Sequence, residues 1–350
     1  MIKRIIAAVL SAALLLSGCG RSEEKKDEIT IGVVVYDEYD TFVASLMDVF
    51  MGSVTDRMQS TGKRITMLRE ASAGSQITQN DQVDELIKKG CDVICVNLVD
   101  RTDPAMIIEA ARDADVPIIF FNRELVTQDL YSWEKLYYVG ADAYDSGNIE
   151  GQIAADAFLS DESIDKNDDG QMQLVVLEGE PGHQDAIIRT EYSVSTIMDA
   201  GVTVDKFESG IANWKRSEAQ SKMGRMIDKY GEEIEVVLAN NDDMALGAID
   251  EYEARDIPMK ERPIIVGIDG TDVGLAAVED GTMLGTVYND KEGQGTAMLD
   301  LAIALALDTD ITASTNISLD DATEINLSEG KYIRYPYAPV TRENIANYMD

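Results

Sequence analysis

The chain has 350 residues, 45% of them hydrophobic, with a formal net charge of −35, three Cys and one His. That length suits two globular domains. Such a charge repels nucleic acid and anionic lipid headgroups, and one His excludes a multi-histidine metal site.

Lys3 and Arg4 precede an apolar run from Ile5 to Leu16, and then comes Leu16-Ser17-Gly18-Cys19. A charged start, a short apolar core and small residues mark residues 1–18 as a secretory signal peptide. The run is short for a bilayer span. Leu16 to Cys19 resembles the lipobox of bacterial lipoproteins. That implies an acylated Cys19 as the mature N-terminus, held at the extracytoplasmic face of the cell membrane by its lipid. The competing reading is a short anchor with an incidental Cys. Residues 19–28, including RSEEKKDE, read as a flexible tether to the membrane.

Beyond the tether, short β-branched runs alternate with helical patterns, which argues for parallel sheets with crossover helices. The predicted strands are Ile29–Tyr36, Arg64–Arg69, Val93–Asn97, Pro117–Phe121, Met172–Leu177, Val202–Phe207, Val236–Ala239, Ile264–Ile268 and Leu284–Tyr288. Between them fall predicted helices Ile77–Lys89, Pro104–Asp115, Ala143–Leu159, Ala186–Ala200, Lys215–Lys229, Met244–Ala254 and Gly293–Leu307. Strands near Ile94, Val175 and Val237 are apolar almost throughout, as strands covered on both faces should be. This many strands fits two doubly wound lobes better than one. Cys91 and Cys95, four apart on one strand, are too distant to bridge and read as buried thiols.

In doubly wound sheets, ligands bind beyond the carboxyl ends of the strands. The side chains that fall there are Asp40 and Phe42, Asn97, His183 and Asp185, Trp214, Asn241, Asp269 and Asn289. Asp185 and Arg189 stand one helical turn apart, so either they form only a surface ion pair, or Arg189 holds Asp185 ionised while donating to a ligand; the neighbouring His183 and the crevice position favour the site. The set holds no Gly-rich phosphate loop and no Lys cluster. Carboxylates and amides satisfy adjacent hydroxyls, and aromatic faces suit the C–H surface of a pyranose. A hexose is the ligand class that fits. Each residue also has a bland reading: Asp40 or Asp242 could merely cap a helix, and Phe42 or Trp214 could be core.

The polar insertion Asp165-Lys166-Asn167-Asp168-Asp169-Gly170-Gln171-Met172-Gln173 follows the start of an EF-hand loop. Oxygen ligands fall on Asp165, Asn167, Asp169 and Gln173, Gln171 can offer its carbonyl, and Gly170 takes the sharp turn. The twelfth position is Val176 instead of Glu. Either the loop is only a polar turn, or a distant carboxylate completes it, with Glu235 a candidate.

The stretches IGVVVYDEYDTF, QNDQVDELIKKG, VNLVD, FFNRE, YYVGAD, DKNDDGQMQ, LEGEPGHQDAIIRT, IEVVLANNDDMALGA, VGIDG and GTVYND resemble the bacterial glucose/galactose-binding proteins, from about Ile29 to the C-terminus. The resemblance implies an α/β fold of two doubly wound parallel-sheet lobes joined by a multi-segment hinge, the type I periplasmic-binding-protein architecture. The expected N-terminal lobe is residues 29–117 plus 289–325, and the C-terminal lobe 118–288 plus 326–350. Hinge segments are expected near Val116–Phe121, Tyr288–Asp290 and around Ile325. It further implies that Asp40, Phe42, Asn97, His183, Asp185, Arg189, Trp214, Asn241, Asp269 and Asn289 contact the sugar. Phe42 and Trp214 would sandwich the ring, Asp40 would bind the 4-hydroxyl of either epimer, and Asp185 the anomeric hydroxyl. A structural calcium ion is implied on Asp165, Asn167, Asp169, Gln171, Gln173 and Glu235. Thr41 departs from the Asn common in the family, and Cys19 departs from its free periplasmic members, which suggests a Gram-positive surface or retention at a membrane.

The expected function is a non-enzymatic, monomeric solute receptor. It captures D-glucose or D-galactose and delivers it to the membrane permease of an ABC importer. The alternative is a sensor that presents sugar to a membrane kinase or chemoreceptor. A transcriptional repressor would need a DNA-binding module where the signal peptide stands. A glycosidase would need one carboxylate with a raised pKa, whereas amides and Arg189 should keep these ionised.

Overall fold

The computed structural model describes residues 27–308, 311 and 330–349. Cys19, most of the tether and Ile325 lie outside the described residues.

The chain opens with β1 (Glu28–Val35), α1 (Thr41–Gly52), α2 (Val54–Thr61), β2 (Arg64–Ala71), α3 (Gln76–Lys88), β3 (Val93–Val96), α4 (Ala105–Ala114), β4 (Ile118–Phe121), α5 (Thr127–Leu130) and β5 (Leu136–Ala141). It continues with α6 (Ala143–Ser160), β6 (Gln171–Glu178), α7 (Gln184–Asp199), β7 (Thr203–Ile211), α8 (Arg216–Tyr230), β8 (Val236–Ala239), α9 (Asp242–Ala254), β9 (Ile264–Asp269), α10 (Asp272–Asp280) and β10 (Gly285–Asn289). It closes with α11 (Lys291–Ala306), β11 (Tyr332–Tyr335) and β12 (Tyr337–Thr341). Two six-stranded sheets result, in the orders β11-β5-β4-β3-β1-β2 and β12-β10-β9-β8-β6-β7. All pairings are parallel except that of β12 with β10.

Alternation along the strands feeds two cores per sheet. Ile29, Ile31, Val33 and Val35 enter one core with α1 and α11, while Val34, Ile94 and Val96 enter another beneath α3 and α4. In the second sheet, Val237 and Ala239 face α8 and α9, and Val236 and Leu238 face α6. Burial on both faces explains the continuous apolar runs of β3, β4 and β8. Cys91 lies just ahead of β3 and Cys95 within it; both are buried, unbridged thiols, and burial raises their pKa values.

The lobe boundaries differ from the sequence expectation. β4 pairs with β3, and β5 pairs with β4, so residues 118–141 complete the first sheet. The first crossing is therefore at Asp142, the cap of α6, rather than near Val116–Phe121. The second falls at Asp290, between β10 and α11. The third falls at Pro336, which separates β11 in the first sheet from β12 in the second. Residues 332–335 thus belong to the N-terminal lobe, not the C-terminal one. A proline cannot donate to a ladder, so the run YIRYPYAPVT breaks into two short strands that serve different sheets.

Candidate functional site

Both sheets reverse strand order next to the first strand of their lobe, between β1 and β3 and between β6 and β8. The crevices at such switch points are ligand sites. Here they face each other, and Asp40, Phe42, Asn122, Arg123, His183, Asp185, Arg189, Trp214, Asn241 and Asp269 line one small cavity between the lobes.

Eight of the ten residues singled out in the sequence are among these lining residues. Asn97 and Asn289 are buried but do not line the cavity. The Asn97 amide donates to Phe121 O at 3.1 Å and to Asn122 Oδ1 at 3.0 Å, so it braces the neighbouring strand end. Asn289 accepts from Gln294 Nε2 at 2.6 Å, beside the second crossing. Asn122 and Arg123 are absent from the sequence-derived set. The signal was available, because both follow directly on β4.

The N-terminal lobe supplies a braced wall. Asp40 caps α1 by accepting from the Val43 N–H at 2.9 Å, and its other oxygen accepts from the Tyr36 hydroxyl at 2.6 Å. Capping and cavity lining are thus compatible roles for one carboxylate. Phe42 stands at the start of α1 and is also buried in the core of its lobe. Arg123 is 3% exposed; it donates to Val99 O at 3.0 Å, and its guanidinium lies 3.4 Å over the centre of the Tyr36 ring.

The C-terminal lobe supplies a charged floor. Arg189, 4% exposed, donates to Ser146 Oγ at 3.1 Å, Asn240 O at 2.7 Å and the Tyr337 hydroxyl at 3.0 Å. Its guanidinium stands 3.5 Å from Asp185 and 3.8 Å from Asp269. Burial pushes the pKa of Asp185 up and that of Asp269 well up, and Arg189 offsets this only in part, so the expectation that Arg189 and neighbouring amides would keep every carboxylate here from a raised pKa is not met. The expected i,i+4 pair is therefore a buried one that shares its cation with a second carboxylate. Asp242 does not cap α9; Asn241 does, accepting from the Met244 N–H at 3.0 Å. Asp242 is fully buried below the site, where it accepts from Thr286 Oγ1 at 2.6 Å and the Thr271 N–H at 2.7 Å. Those bonds fix the turn that carries Asp269.

His183 caps α7, with Nδ1 accepting from the Asp185 N–H at 3.1 Å. This makes Nε2 the protonated nitrogen of the neutral ring and a donor toward the cavity. Burial, reinforced by Arg123 and Arg189, holds its pKa well below 6.5. The Trp214 ring meets His183 edge-on at 5.0 Å, and its indole nitrogen is buried with no hydrogen-bond partner in the structure. Asn122, Trp214 and Asp269 have φ of 59°, 65° and 121°. Backbone strain of this kind gathers at ligand clamps, each instance costing on the order of 1–3 kcal/mol.

The polar loop 165–173, expected from the sequence to hold calcium, lies at the far end of β6. Asp165 accepts from the N–H groups of Asp169 at 3.1 Å and Gly170 at 2.8 Å, and Gly170 turns with φ of 73°. Glu235 accepts from the Lys166 N–H at 2.6 Å and the Gln173 N–H at 3.0 Å, which draws it onto the loop. The Asn167, Gln171 and Gln173 amides all donate to Asp169. Gln173 is 3% exposed, and its Oε1 is buried without a hydrogen-bond partner. Among the described residues, no three His, Cys, Asp or Glu side chains converge as a metal cluster. Calcium accepts amide and carbonyl oxygens alongside carboxylates, so this donor set fits a hard cation.

The chain belongs to the periplasmic binding proteins: the Periplasmic binding protein domain matches residues 31–309. That family consists of solute-binding receptors rather than enzymes. The chain is 31% identical to the D-galactose/methyl-galactoside binding periplasmic protein MglB of Haemophilus influenzae, over 100% of both chains. It is 29% identical to a xylitol-binding protein of Mycolicibacterium smegmatis, over 97% of this chain and 93% of the other. An ABC transporter solute binding protein from Bacillus halodurans with bound myo-inositol superposes with a TM-score of 0.74 at 27% identity, covering 93% of this chain and 99% of that one. Among the described residues no helix is long and apolar enough to cross a membrane.

Proposed function

We propose that the protein is an extracytoplasmic hexose receptor for an ABC importer, held at the membrane by a lipid on Cys19 and stiffened by calcium. The observation that carries this reading is the composition of the interlobe cavity. Three carboxylates, two amides, a neutral His and two aromatic rings come from both walls, so only a closed molecule presents them together. Hydroxyls of a pyranose would donate to Asp40, Asp185 and Asp269 and accept from His183 and Arg189. Phe42 and Trp214 would cover its C–H faces. Carboxylates outnumber arginines in the lining, which disfavours uronates and sugar phosphates. Each hydrogen bond contributes about 1 kcal/mol net and ring contacts about 0.5–1.5, enough for micromolar capture at about −8 kcal/mol.

The galactoside-binding relative supports a hexose, while the xylitol and myo-inositol proteins mark the wider polyol range of the family. Calcium would be held by Asp165, Asn167, Asp169, the Gln171 carbonyl, Gln173 and Glu235. It would supply charge that ties the loop to β6 and β8, away from the sugar.

A thermal-shift panel of hexoses, pentoses, inositols and uronates tests the ligand class. Ligand at a hundredfold over Kd stabilises the folded state by about 2.7 kcal/mol, a rise of several degrees. Glucose or galactose is expected to give the largest rise, and galacturonate none. A maximal rise with an inositol or a pentose would replace the hexose assignment.

A further inference from the structure

Among the described residues, two polar contacts join the lobes directly, away from the three crossing segments. Arg123 Nη2, at the end of β4, stands 3.0 Å from Glu180 Oε2 in the turn between β6 and α7. Thr41 Oγ1, at the start of α1, donates to Asp243 Oδ2 at the start of α9 at 2.5 Å. We propose that these pairs form a two-point clasp that holds the lobes shut and sets ligand affinity through closure. This inference rests on the receptor reading above.

The placement argues for it. Glu180 is three residues before His183, and Asp243 is two residues after Asn241, so each bond fastens a C-terminal-lobe segment that carries a cavity side chain. On the opposite wall, Thr41 sits between Asp40 and Phe42. Arg123 is fixed independently by Val99 O and the Tyr36 ring, and Tyr36 in turn holds Asp40. The cation is thus rigid before Glu180 meets it, and little side-chain entropy is lost on pairing. Neither Glu180 nor Asp243 lines the cavity. Their bonds exist only when the lobes meet, so they raise the closed fraction, and apparent affinity scales with that fraction.

The test uses Glu180→Gln, Asp243→Asn and the double variant of the full chain, titrated with D-glucose and D-galactose. Small-angle scattering without sugar is the second measurement. Each single variant is expected to raise Kd about three- to tenfold, mainly through faster dissociation, and the double variant further. Thr41→Ser keeps the hydroxyl and should bind as wild type, whereas Thr41→Val should match Asp243→Asn. Without sugar, the double variant should have a larger radius of gyration than wild type. A double variant with wild-type Kd and wild-type scattering would overturn the clasp. If wild type binds neither hexose, the receptor reading fails by itself. Scattering then judges the clasp: an enlarged double variant upholds it, and an unchanged one removes it.

Discussion

A β-carbon added to Gly179 would lie 2.2 Å from the ring carbons of Trp214, so the indole can reach the cavity only because residue 179 has no side chain. Gly179→Ala should push the ring aside. Overpacking typically costs about 1–3 kcal/mol, and we expect at least a tenfold rise in sugar Kd with a melting temperature lower by a few degrees. Calorimetry on the variant would contradict this by returning wild-type affinity. His183 gives a pH prediction. Its pKa is depressed well below 6.5 in the folded state, so the unfolded chain takes up the proton first as pH falls. The stability that neutral His183 contributes is therefore present above that value and lost below it. Urea unfolding should show wild type losing stability relative to His183→Gln progressively as pH falls below about 6.5. Parallel pH curves for the two proteins would refute the assignment. At this scale the sequence was informative wherever a polar residue follows an apolar strand. Asn122 and Arg123 obey the same rule at the end of β4. The internal use of the Asn97 amide was not legible, because its partners Phe121 and Asn122 lie on another strand.

At the scale of elements, the calcium proposed for the loop 165–173 has a measurable consequence. The loop joins α6 to β6, and Glu235 ties it to the start of β8. Calcium at a thousandfold over its Kd would stabilise the fold by about 4 kcal/mol. EGTA is accordingly expected to lower the melting temperature by roughly 10 °C, and Glu235→Gln to abolish most of that difference. A melting temperature indifferent to EGTA would reduce the loop to a polar turn. Most long apolar strands and amphipathic helices could be read from periodicity. β5, β11 and β12 were not among the predicted strands. β11 and β12 are short, carry Arg334 and Pro339, and are separated only by Pro336, so neither offers a clean alternation. α1 was also missed. Asp40 supplies its cap, and Phe42, Val43, Leu46, Met47 and Phe50 form its buried face, a pattern that supports a helix once the loop after β1 is allowed to be short.

For the whole molecule, two doubly wound lobes and three crossings define a hinge around one interlobe cavity. The two-lobe architecture was readable from strand count and alternation. The crossing points were not, because the apolar β4 and the mixed β5 look equally suited to either sheet until their pairing is known. A sugar held as proposed would favour closure by contacting both walls, and the free energy of closing would come from that difference. Isothermal titration of the purified protein with D-glucose and D-galactose tests this most directly. We expect saturation at one site per chain by at least one of the two hexoses, with Kd near micromolar, about −8 kcal/mol. No saturable heat from either sugar at sub-millimolar concentration would contradict it.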